Sequence, residues 1–247
     1  MKLDVLAVSP HPDDVELHCG GLMIKFADLG YVTGIVDMSL GEMGTRGTVD
    51  GRKGEAAAAA EVLGLSERLN LELPDARVGT CPTHRDALID AIRRYKPDLL
   101  LVPHEIARHP DHGATARLAR DAAFLAGLEK LETDHTAVRP RKVVFYLTHH
   151  RYREPRPSFI VDITSTFSRK IEAVKAHRSQ FHDPDSTEPE TFISRPEFLE
   201  EVEAQSRYYG QLIGARYGEP FVVREYLQVD DPLAHFVGGG VGGGEIR

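Results

Sequence analysis

The chain has 247 residues, with 38 Asp and Glu against 30 Lys and Arg, a formal net charge of −8 and two cysteines. That length buries one substantial α/β core, and the acidic excess excludes the basic face that a nucleic-acid binder needs. No apolar run is long enough to span a bilayer and no basic segment leads into an apolar signal stretch, while Cys19 and Cys81 are too few for a disulfide framework; the expectation is a cytoplasmic protein with reduced thiols and neither nucleic-acid nor membrane partners.

In chain order, apolar residues 3–8 predict a strand that ends in Pro10-His11-Pro12-Asp13-Asp14. A helix is expected from about residue 21 to 29 and a strand over 31–38, followed by a polar loop, 39–51, too long for a simple connection. Residues 53–63, with the Ala56 to Ala60 run, form a helix by propensity. A short strand over 68–71 and a helix over 82–95 precede a strand over 98–102, which leads into His109-Pro110-Asp111-His112. The helix after Asp111 extends to about Ala126; strands over 143–147 and 159–161 and helices over 165–177 and 196–213 complete the list, with an irregular segment, 182–194, between the last two. Apolar runs alternating with helical patterns are the signature of parallel strands joined by crossover helices, so the fold class is α/β, Rossmann-like and three-layered, with a mainly parallel sheet flanked by helices. Residues 1–230 are expected to make a single domain. The glycine-rich tail, 231–247, carries too much backbone entropy to order alone and is expected to be mobile.

The two His-Asp clusters carry the chemistry. Each follows a buried strand, where an open α/β sheet gathers its ligand-binding loops. Catalytic zinc takes three protein ligands, commonly His and Asp or Glu, and leaves a position for water. His11, Asp14 and His112 make such a set, and the same donors accept Fe2+, Mn2+ or Co2+. Adjacent Asp13 and Asp14 point different ways in most backbones, which frees Asp13 to be the general base. His109 and His112 converge on one side of a first helical turn that begins near Pro110; one binds metal while the other donates a proton or stabilises an oxyanion. Asp111 is placed to orient a neighbouring histidine. Either cluster alone is ordinary turn and N-cap material, and it is the pair that points to a metal-dependent hydrolase. A nucleotide-binding alternative fails on spacing, because Gly20-Gly21 lacks the G-x-G-x-x-G pattern.

His11-Pro12-Asp13-Asp14 with the later His109-Pro110-Asp111-His112 resembles the PIG-L/LmbE-like zinc deacetylases, which remove acetyl groups from N-acetylglucosamine-type amides. The block from Gly41 to Thr48, then Arg52, the Phe124 to Leu128 block, Ser179-Gln180-Phe181 and Glu188-Pro189-Glu190-Thr191 resemble the bacillithiol-biosynthesis branch, and the resemblance runs to about residue 230. It implies hydrolysis of N-acetylglucosaminyl malate to glucosaminyl malate and acetate by a homo-oligomer, with His11, Asp14 and His112 on zinc, Asp13 as base, His109 as charged stabiliser or acid, and Arg52 on the substrate. A partner of that kind, a small amino-sugar conjugate with two carboxylates, needs guanidinium or ammonium groups; Arg52, Arg46 and Arg108 are the candidates, with Lys53 beside Arg52, Arg151 and Arg153 in another loop, and His149 and His150 at a strand end. The alternatives are a deacetylase of another N-acetylglucosamine-containing substrate, such as a chitin fragment, and a non-catalytic metal-binding protein on the same fold. Two positions depart from the family pattern: His18 stands where relatives commonly carry a small residue, and Phe198 where some carry a tyrosine that supports the intermediate.

Overall fold

Runs of aliphatic residues alternate with helical patterns along the first half of the chain, and they fold as β1 (Val5–Ser9), α1 (Asp14–Asp28), β2 (Thr33–Ser39), α2 (Val49–Leu63), β3 (Glu67–Leu73), α3 (Pro82–Tyr95), β4 (Leu99–Pro103) and α4 (Pro110–Leu125). Then come β5 (Lys142–Tyr146), β6 (Phe159–Asp162), α5 (Phe167–Ala176), α6 (Pro196–Leu212) and β7 (Gly218–Val222). The computed structural model describes residues 1–148, 155–226 and 228–233. The expectations for His149, His150, Arg151 and Arg153, and for the tail from 234 onward, lie outside the described residues.

The strands form one sheet in the order β3-β2-β1-β4-β5-β7-β6, parallel from β3 to β5 and antiparallel where β7 pairs with β5 and β6. Side chains alternate across it. On β1, Leu6 and Val8 join Ile92 and Leu118 in one core, while Val5 and Ala7 join Met23 and Ala173 in the other. Helices therefore cover both faces, as the alternation in sequence requires. The sequence reading lacked β7, whose Gly-Glu-Pro-Phe-Val composition is poor in strand formers; it is held by pairing on both sides rather than by propensity.

Helix α1 begins at Asp14, a full two turns before the expected start. Asp14 and Glu16 suit its positive end, and the Gly20-Gly21 pair marks a kink, where Cys19 leaves helical geometry at φ −141°. The kink frees the N–H groups of Gly21 and Leu22, which donate to the Glu219 carboxylate of β7 at 2.9 and 2.8 Å. Lys170 pairs with that carboxylate at 2.7 Å. Helix α2 also starts early, at Val49, because the Thr48 hydroxyl accepts from Gly51 N at 3.1 Å and caps it. No helix among the described residues is long and apolar enough to cross a membrane.

Arg68 of β3 ties four elements together. Its guanidinium donates to both oxygens of Asp37 on β2, at 2.7 and 3.0 Å, to Glu16 on α1 at 2.6 Å, and to the Ala56 carbonyl on α2 at 3.1 Å. His177, just past α5, reaches Glu16 at 3.1 Å. Glu16 and Asp37 are buried, so removing the cation leaves uncompensated negative charge in the interior. Arg68→Leu is expected to cost about 3–5 kcal/mol, read as a lowered urea midpoint; an unchanged midpoint contradicts this account.

Candidate active site

Strands β1 and β4 are parallel neighbours, with Val5 beside Leu99 and Ala7 beside Leu101. Successive connections run outward to β2 and β3 on one side and to β5 on the other, so the β1/β4 boundary is the point where strand order reverses and a crevice opens at the carboxyl ends. Both His-Asp clusters emerge there. The cavity they share has a volume of about 530 Å3, and His11, Asp13, Asp14, His109 and His112 all line it.

Asp14 is the centre of the cluster. Its Oδ2 lies 3.1 Å from His11 Nδ1 and its Oδ1 lies 3.2 Å from His112 Nε2. The edge of a tetrahedron with metal–ligand bonds of about 2.0–2.1 Å is about 3.3 Å; each imidazole stands at about that spacing from an Asp14 oxygen, and one donor atom from each of the three residues lies within 4.8 Å of the others. The two imidazoles and the carboxylate are a donor set that such an ion accepts. Burial pulls the His11 imidazole down, but hydrogen bonds with Asp111, Asp14 and Asp75 reverse this and hold it well above its ordinary value. Burial pushes Asp14 up, and the His112 and His11 rings overcome it, leaving the carboxyl well below the usual range. The pocket is built to hold positive charge beside an ionised Asp14.

Asp13 turns the other way. Its Oδ2 accepts from Arg52 Nη2 at 3.3 Å, and the same guanidinium donates to the Pro12 carbonyl at 3.3 Å and, through Nη1, to the Gly41 carbonyl at 2.8 Å. Gly41 has φ +68°, and a Cβ there would collide with the Arg52 guanidinium, so position 41 requires glycine twice over. Burial raises the Asp13 carboxyl to about 6, with Arg52 pulling against the shift and Asp14 adding to it.

His109 is the N-cap of α4: its Nδ1 accepts from Asp111 N at 3.2 Å. That bond leaves Nε2 to act on a ligand. Burial, then the His11 and His112 rings, hold this imidazole below its ordinary value. The rings of His109 and His11 meet edge to face at 4.7 Å.

Of the other expected site residues, Arg52 and Arg108 line the cavity, and Arg108 lies exposed with its guanidinium 4.6 Å from the Phe192 ring centroid. Arg46 differs from expectation. It is buried, and its guanidinium donates to Ser179 O at 2.7 Å and Ser186 Oγ at 2.7 Å, so it fastens loop 40–48 to the segment after α5 instead of facing the cavity. Asp111 reaches both sides: its Oδ2 is 3.5 Å from His11 Nε2, its N–H donates to His109 Nδ1, and its carboxylate falls within 4.8 Å of donor atoms of both rings. His18 lies 3.7 Å from Asp14 Oδ1 and stacks on Tyr146, and Phe198 packs with Phe181 in the cavity wall. Sequence reasoning missed Asp75, whose Oδ1 is 3.2 Å from His11 Nε2. Its only signal was a Pro74-Asp75 turn at the carboxyl end of β3, which reads as ordinary turn chemistry.

A family model described as "PIG-L: GlcNAc-PI de-N-acetylase" matches residues 6–123. A conserved protein of Thermus thermophilus, TT1542, superposes with a TM-score of 0.82 at 40% identity, covering 92% of this chain and 98% of that one. Diacetylchitobiose deacetylase of Thermococcus kodakarensis is 29% identical over 94% of this chain and 88% of its own. 4-Oxalmesaconate hydratase of Pseudomonas putida is 30% identical over 72% and 74%, respectively. The probable N-acetyl-alpha-D-glucosaminyl L-malate deacetylase 2 of Bacillus cereus is more distant, at 26% identity over 73% of this chain and 84% of its own. Because Asp14 faces both imidazoles, Asp14→Ala is expected to abolish stoichiometric metal binding, measured by elemental analysis after zinc loading and desalting; retention of one zinc per chain would overturn that geometry.

Proposed function

The chain belongs to the PIG-L family, and on that premise we propose that it is a metal-dependent amidohydrolase that removes the acetyl group from a short N-acetylglucosamine-containing substrate of the chitin-fragment type. The observation that carries this reading is the convergence of Asp13 and His109 around His11, Asp14 and His112 in one cavity. His11, Asp14 and His112 would hold the ion, zinc first among the divalent metals such a donor set accepts. When bound, it supplies a Lewis acid for the amide carbonyl and lowers the pKa of a coordinated water to about 7. Asp13, held by Arg52 and raised to about 6, suits a base working near neutrality: it takes the proton of the attacking water and returns it to the leaving amine. His109 has its Nδ1 occupied as an acceptor, so the neutral ring carries its proton on Nε2 and donates it as a hydrogen bond to the developing oxyanion.

The wall beyond the metal cluster supports an uncharged sugar. Leu17, Phe181, Phe192, Ile193 and Phe198 present apolar and aromatic surface. Of the three arginines expected to meet carboxylates, Arg46 turns away from the cavity to Ser179 and Ser186, and Arg52 lines it with its guanidinium already engaged by Gly41 O and Asp13. The 29% identity with a protein named for diacetylchitobiose points the same way. Exposed Arg108 in the cavity wall favours a second reading, the N-acetylglucosaminyl malate conjugate, to which it would offer one guanidinium.

Asp13→Asn is expected to keep its zinc and lose about 10²–10⁴-fold in kcat; full turnover in that variant removes Asp13 from the base role. Acetate release from diacetylchitobiose, N-acetylglucosaminyl malate and N-acetylglucosamine, each with metal-free and zinc-reconstituted protein, tests the substrate class. Zinc-dependent release fastest from the chitin fragment is expected, preference for the malate conjugate selects the second reading, and no release from any of them rejects the hydrolase.

A further inference from the structure

We infer that Asp75 is a positioning residue that orients His11 and couples it to loop 40–48 at the cavity mouth, an inference that rests on the metal-dependent reading above. Asp75 follows β3 and is buried, in a turn where Ala76 adopts the left-handed region at φ +59°. A non-glycine residue holds that conformation only where its surroundings impose it. Here Ala76 N donates to Asp75 Oδ1 at 2.7 Å and to Asp111 Oδ2 at 2.8 Å, which aims both carboxylates at the same place. That place is His11 Nε2, 3.2 Å from Asp75 Oδ1 and 3.5 Å from Asp111 Oδ2. A proton on Nε2 shared with these carboxylates fixes the ring, so that an ion taking the place of the proton between Nδ1 and Asp14 would find Nδ1 already aimed at it, the arrangement by which outer carboxylates orient a metal-binding histidine.

The same carboxylate grips the mouth loop. Asp75 Oδ2 accepts from Met43 N at 2.9 Å, and Asp75 N donates to Glu42 Oε1 at 2.8 Å, so the turn and the loop hold each other in both directions. Met43, Gly44 and Thr45 line the cavity. A ligand pressed against them and an ion on His11 Nδ1 therefore act on one shared side chain, and any coupling between them is reciprocal.

Zinc affinity of the full chain, by competition with a chromophoric chelator, tests this with four proteins. Relative to the wild type, Asp75→Asn is expected to bind zinc about 10–100-fold more weakly, the usual loss when an outer partner of a ligating histidine is removed. Glu42→Ala disturbs the turn but keeps the carboxylate against His11, and should stay within about threefold of the wild type. Zinc loading should also slow hydrogen exchange at the Met43 amide in the wild type and not in Asp75→Asn. The inference falls if Asp75→Asn binds zinc as the wild type does, if Glu42→Ala loses as much affinity as Asp75→Asn, or if zinc leaves Met43 exchange unchanged in the wild type. His11→Ala separates this failure from that of the parent reading: wild-type affinity in His11→Ala rejects the metal site itself, whereas loss in His11→Ala with none in Asp75→Asn rejects only the role of Asp75.

Discussion

The parallel pairing of β1 with β4 is the constraint on which everything else depends. It sets Val5 against Leu99, so the loops after Ser9 and Pro103 leave the sheet side by side and two clusters far apart in sequence share one cavity. Backbone hydrogen bonds and two buried faces enforce this register, because a slip of one residue would exchange Leu6 and Val8 for Val5 and Ala7 in both cores. The chemistry thus sits at the carboxyl ends of two central, fully paired strands. The aromatic side chains that line the rest of the cavity, from Phe181 to Phe198, come from the segment leading into α6 and from its first turn.

Charge is the second theme. The interior around the cavity holds several carboxylates, and each has a cation or imidazole assigned to it: Asp13 to Arg52, Asp14 to His11 and His112, Glu16 and Asp37 to Arg68, and Glu219 to Lys170. Buried charge is tolerated only with such partners. The groups nearest the cavity differ from the rest in one respect, since Asp13 and Asp14 are driven in opposite directions by the same neighbourhood. Adjacent carboxylates pushed apart in this way are suited to different tasks, one to hold a cation and the other to exchange a proton.

The parts of this arrangement that were legible in the sequence are those written in local pattern. Strands β1 and β4 are continuous aliphatic runs, α3 has Pro82 at its first turn, and the two His-Asp clusters announce their chemistry by residue type. What was not legible depends on contacts across the chain. The start of α1 was misplaced because Gly20-Gly21 resembles a boundary, and only Glu219, at the far end of the chain, shows it to be a kink. Strand β7 has only Phe221 and Val222 to signal it, after Gly, Glu and Pro that disfavour a strand. Arg46 was not distinguishable from the cavity-lining Arg52 and Arg108, because an arginine near a site looks the same in sequence whether its fork faces the cavity or the protein's own carbonyls.

The fit of Gly41 against Arg52 also limits how such a site can change over time. While Arg52 is present, a side chain at position 41 collides with its guanidinium, whereas a smaller residue at position 52 removes that obstacle and leaves only the left-handed backbone to disfavour replacement of the glycine. The two positions are therefore coupled: losing the arginine and adding a side chain at position 41 both take from loop 40–48 its tie to the guanidinium and from Asp13 its donor, so once either change has been made the other gives up nothing further of that contact.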